Sequence, residues 1–83
     1  MTKKIETRFH HHEHQTQVEV LRGRRALGVL FVNHLADGRF ALHVRIGKQR
    51  GTSSAGIYQE KSDAVLAGIE RVEDQITNGK AAR

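Results

Sequence analysis

From Arg39 to Ile46 the chain alternates without a slip. Phe40, Leu42, Val44 and Ile46 fall on one parity, and Arg39, Ala41, His43 and Arg45 on the other. Successive side chains of a strand point to opposite faces, so this pattern predicts a strand with an apolar core face and a basic face. Gln15 to Arg22 follows the same rule more weakly, with Val18 and Val20 set between Gln17 and Glu19. Ala26 to Leu35 is apolar on both parities: Leu27, Val29, Phe31 and Leu35 on one, Leu30 and Val32 on the other. A strand apolar on both faces belongs in the middle of a sheet. Its first set is read as facing the helix. Leu30 and Val32, with His34, are read as lying away from it and forming a homodimer interface through the 26–35 strand; coverage by the N-terminal arm is the alternative.

Punctuation supports these boundaries. Asp37-Gly38 is a hairpin signal between two apolar runs. Gly23 among Arg22, Arg24 and Arg25 makes one basic turn, and Gly47-Lys48-Gln49-Arg50-Gly51 makes another. Thr52 to Tyr58 reads as a short final strand, weakened by Gly56 and two serines. The period then changes. Val65, Ile69, Val72 and Ile76 recur at i, i+4, i+7 and i+11, flanked by Ala64 and Leu66, which predicts a helix over 62–76. Asp63 suits its first turn, and Asn78-Gly79 reads as its stop.

Strands followed by one helix predict an α+β domain, a three- to four-stranded antiparallel sheet packed on a C-terminal helix. Residues 1–14 are read as a flexible His-rich arm, or an extra edge strand in an oligomer. Residues 15–79 form the single domain, and 80–83 a tail. With 83 residues there is room for one domain and a modest core. No cysteine is present, so disulfides and thiolate metal sites are excluded. No apolar run near Met1 resembles a signal peptide, and Ala26 to Val32 is too short to span a bilayer. These features point to a cytoplasmic protein with no membrane partner.

Charge adds a direction. Fourteen Lys and Arg against nine Asp and Glu leave a net +5. Between Arg22 and Arg50 seven cations stand against one acid, Asp37, whereas from Lys61 to Arg83 four cations meet four acids. A basic sheet and a neutral helix form the asymmetry that one-sided polyanion binding requires. Arginine makes bidentate bonds to phosphate and to guanine edges, and a two- or three-stranded ribbon fits the major groove of B-DNA. The candidate nucleic-acid-binding residues are therefore Arg22, Arg24, Arg25, Arg39, His43, Arg45, Lys48 and Arg50. The aromatic residues are Phe9, Phe31, Phe40 and Tyr58. Phe31 and Phe40 read as core, which leaves little for stacking on single strands and favours duplex DNA, with RNA as the alternative.

The stretch Gly38-Arg39-Phe40-Ala41-Leu42-His43-Val44, the basic turn after it, and Tyr58-Gln59-Glu60-Lys61-Ser62-Asp63-Ala64 resemble the arm-binding domain of tyrosine recombinases and the related AP2-type domain. Tyr58, Glu60 and Asp63 take the places of that pattern's Phe, Thr and Glu, Lys61 and Ala64 match it, and Phe40 stands where Trp is usual. The resemblance implies a three-stranded sheet followed by a helix, with the sheet entering the major groove.

Two other chemistries are weaker. His10, His12 and His14 would share one face of a strand, with His11 and Glu13 beside them. Imidazole suits Zn²⁺ or Ni²⁺, but a structural zinc site joins ligands from two places in a fold, so these residues read as a solvated arm with no cofactor. Thr52, Ser53 and Ser54 with His43 as base lack the strand-to-helix elbow that gives a nucleophile meaning. The expectation is a non-enzymatic DNA-binding accessory protein of the small kind encoded by phages, plasmids or bacterial chromosomes. The rival is a protein-binding inhibitor or accessory module acting on a larger nucleic-acid machine.

Overall fold

The alternating segments pair in chain order. In the computed structural model, which describes residues 5–47 and 50–81 with the side chains of 76–81 excepted, the elements are β1 (Ile5–His11), β2 (Gln15–Arg22), β3 (Arg25–His34), β4 (Phe40–Ile46), β5 (Ser53–Tyr58) and α1 (Lys61–Ala81). The strands form one antiparallel five-stranded meander in the order β1-β2-β3-β4-β5. The α+β class is as expected, but the sheet has more strands than the three or four predicted. The added one is β1: Ile5–His11, read as an arm, pairs along its length with β2 of the same chain. Alternation of Ile5, Thr7 and Phe9 supplies its period.

The helix lies on one face, over β3 and β4 and towards β5. Val18, Leu30 and Val44 stand side by side in the register, as do Thr16, Val32 and Leu42. All six are essentially inaccessible to solvent. From α1 they receive Ala64, Val65 and Val72. Burying each large aliphatic side chain stabilises the fold by roughly 1.5–3 kcal/mol. Gly68 permits a close approach: a Cβ there would lie 2.7 Å from both Cδ atoms of Leu30. The helix continues past Asn78-Gly79 to Ala81, through the start of the expected 80–83 tail.

This packing reverses one expectation. Leu30 and Val32 lie under the helix, while Val29 and Phe31 occupy the uncovered face. Leu30 and Val32 therefore form no dimer interface, and Phe31 is not core. His34 belongs to the helix side too, edge-on to Phe40 and 3.2 Å from the Thr16 hydroxyl. The cause is the β3–β4 loop. A two-residue turn at Asp37-Gly38 would bring Phe31 opposite Val44. Instead Leu35 donates its N–H to the Arg39 carbonyl across a three-residue loop, with Gly38 at φ 88°. That loop pairs His34 with Phe40 and Leu30 with Val44. One residue of register exchanges the two faces of a strand. A bulge does the same for Leu27. The β2–β3 register slips there, and Leu27 leaves the parity of Val29 to join the core.

Candidate nucleic-acid interface

Antiparallel order decides which basic residues meet. The β2–β3 turn and the β4–β5 connection lie at the same end of the sheet, as does the upper part of β4. That end carries Arg22, Arg24, Arg25, Arg45 and Arg50. Arg24, Arg25 and Arg50 are exposed, and Arg22 is half-buried with a buried Nε that has no hydrogen-bond partner among the described residues. Lys48 lies outside the described residues.

Arg39 does not join them. It precedes the seven-residue β4 and so stands at the opposite end, about 20 Å away at ~3.4 Å per residue. Its Nε is 2.7 Å from Asp37 Oδ2, and its backbone N–H donates to Asp37 Oδ1 at 3.0 Å. Those two bonds hold the Asp37 carboxyl below its ordinary range, the backbone donor contributing most. Arg39 is thus a loop-closing residue with its charge already matched.

The uncovered face is a second surface. One cross-strand row is Arg8–Glu19–Val29–Arg45, and the next is His10–Gln17–Phe31–His43–Ser54. The Arg45 guanidinium lies 5.7 Å from the centre of the Phe31 ring, a cation–π arrangement that orders an otherwise long side chain. His10 Nε2 is 3.6 Å from Glu19 Oε1. Arg8, His10, Gln17 and Phe31 are members of this face that the sequence reading left out, because it did not place β1 in the sheet and assigned the wrong face of β3 to the core. The Ile5-x-Thr7-x-Phe9 alternation was the available signal.

Among the described residues none of Arg8, Arg22, Arg24, Arg25, Arg45 and Arg50 forms an ion pair with an acid. Glu70, Glu73 and Asp74 are exposed on α1, across the sheet from Arg8 and Arg45 but on the face that Arg22 and Arg25 share by register. The histidines disperse. His10 faces the uncovered side and His11 stacks on Phe9 on the helix side, while His14 lies near Glu13 in the β1–β2 turn. Among the described residues no three His, Asp or Glu side chains stand close enough to share a metal ion. Among them also no helix is long and apolar enough to cross a membrane. Comparison with protein-family models, with curated proteins and with solved structures returns no match, so the chain's chemistry rests on its own geometry.

Proposed function

We propose that the protein is a non-enzymatic DNA-binding protein that holds duplex DNA against the arginine-rich end of its sheet. The observation that carries this reading is the convergence of two turns. They return Arg22, Arg24, Arg25 and Arg50 to the end of the sheet nearer Arg45, without acid partners among the described residues; by register Arg22 and Arg25 share the helix-side face and Arg45 the uncovered one. Unmatched guanidinium groups suit phosphates, whose counterions are released on binding. His43 and Arg45 on the uncovered face then stand nearest the grooves. Phe31 sits beneath Arg45, so it is not free to stack on bases, which favours a duplex over single strands.

The test is fluorescence anisotropy on a random-sequence duplex across a salt series. The logarithm of affinity should fall linearly with that of salt, by about 0.9 for each phosphate neutralised. Arg24→Ala with Arg25→Ala should flatten that slope. Absence of binding at low salt removes the proposal. One observation favours a protein partner as the second reading: an open groove of about 590 Å³ between β1 and α1, lined by Phe9, His11, Lys61, Ser62, Val65 and Leu66. Binding through such an apolar surface would change little with salt.

A further inference from the structure

The two edges of the sheet differ. On β5 the pairing with β4 slips between Ala41 and His43, and Gly56 sits at φ 107°. Such irregularity discourages addition of another strand. The β1 edge has neither feature: its register with β2 runs unbroken from Ile5 to His11. The helix does not cover it, and Phe9 is left 45% exposed.

Two backbone bonds identify the groups that β1 offers. His12 donates its N–H to the Gln15 carbonyl, and His34 donates to the His14 carbonyl. Gln15 therefore faces β1 and His14 faces β3, and this alternation continues along β2. Gln17, Glu19 and Leu21 bond towards β1, to His10, Arg8 and Glu6. The N–H and C=O groups of Ile5, Thr7, Phe9 and His11 are left pointing off the free edge. A regular row of unmatched donors and acceptors is a template for a strand.

The side chains specify which strand. Reversed on itself about Thr7, the segment Ile5-Glu6-Thr7-Arg8-Phe9 meets its own complement. Ile5 faces Phe9, Glu6 faces Arg8, and Thr7 faces Thr7. The hydrogen-bonding residues of both copies coincide in this register. The two neighbouring registers that keep the backbone bonds do worse: one sets Arg8 against Arg8, the other Glu6 against Glu6, and like charges directly opposed are destabilising. We infer that β1 pairs antiparallel with β1 of a second copy about a two-fold axis at Thr7, joining two sheets into one. Each Phe9 then packs beside the partner's Ile5 on the helix side, and each Glu6 meets the partner's Arg8 on the uncovered face. The interface is self-complementary, as a two-fold contact must be. It does not depend on whether the arginine-rich end binds DNA.

Sedimentation velocity of the full chain tests it. Glu6→Lys and Arg8→Glu should each weaken self-association by about tenfold or more, because the axis applies every change twice. Mixing the two variants should restore association, since each lysine or arginine then faces a glutamate. That recovery also shows that both variants fold. A wild-type chain that stays monomeric up to about 1 mM overturns the inference. So does a dimer that both single variants leave intact, or a mixture that fails to associate. The register has its own test in a chain that lacks cysteine. Hydrogen-bonded antiparallel partners lie about 5.5 Å apart at Cα, within the range of about 4.4–6.8 Å for a disulfide. Thr7→Cys should form an intermolecular disulfide faster than Glu6→Cys or Arg8→Cys. Faster linkage through either of those two places the axis elsewhere and overturns the pairing.

Discussion

The two faces of the sheet are cut from the same strands, yet they behave as different materials. The helix-side face sets Val18, Leu30, Val44 and Leu42 in contact and closes over them with Ala64, Val65, Gly68 and Val72. Every position there is limited by its neighbours. The uncovered face carries Arg8, Gln17, Phe31, His43 and Arg45, half-buried or exposed, where charge is matched loosely or not at all. The covered face determines whether the chain folds. The uncovered face buries less, with Leu21 its buried side chain on β2, and the turns at its end are exposed, which suits a binding surface.

The sharpest test of that contrast is to remove volume on each side. Leu30→Ala should lose about 2–5 kcal/mol in urea denaturation, because the cavity would lie between the sheet and Gly68. Phe31→Ala on the uncovered face, though it deletes a larger side chain, should lose only about 1–2 kcal/mol, in proportion to its smaller buried area. Equal losses would mean that the uncovered face is a second core.

Adding volume is the next test. Alanine favours a helix over glycine by about 1 kcal/mol. Gly68→Ala should nevertheless destabilise by roughly 1–3 kcal/mol, because the new methyl would press on the Leu30 side chain. A rise in melting temperature would show that the helix can lift away without cost.

Arg45→Ala separates stability from binding. Loss of the contact with Phe31 should cost no more than about 0.5–1 kcal/mol. If Arg45 contacts a phosphate, the slope of log affinity against log salt should fall by about one. A large fall in melting temperature with an unchanged slope would make Arg45 structural and remove it from the site.

The smallest effect belongs to Asp37. Its carboxyl is held below the ordinary 3.8 by the Arg39 backbone N–H and guanidinium. A group depressed on folding adds stability that is present above its unfolded value and is lost as pH falls through the folded one. Asp37→Asn should therefore remove a slight stabilisation seen at neutral pH, and the two proteins should converge in thermal melts once the pH falls below the depressed folded value. Because the pair is exposed, the difference stays small. A difference that persists under acid would assign the effect to loop geometry rather than charge.

Much of this architecture was legible in the chain. The alternation of Phe40, Leu42, Val44 and Ile46, and the helical spacing of Val65, Ile69 and Val72, identified their elements and their inner faces, because each period is set by local backbone geometry. The arginines of the β2–β3 and β4–β5 turns were legible as two basic turns; that both return to one end of the sheet follows only from the strand order. Local pattern could not choose between the two apolar faces of β3. That choice depended on whether the loop at Asp37-Gly38 holds two residues or three, and one residue exchanges the faces. It also could not separate Arg39 from Arg45, since a shared parity conceals the distance along a strand and the Asp37 that neutralises one of them. Membership of Ile5–His11 in the sheet was decided by pairing with β2, a contact between segments that no local period records. The elements and their amphipathic faces are properties of neighbouring residues, and so could be read from the chain alone. Register, the bulge that turns Leu27 inward, and the grouping of charges depend on how distant strands meet, and emerge only in the folded protein.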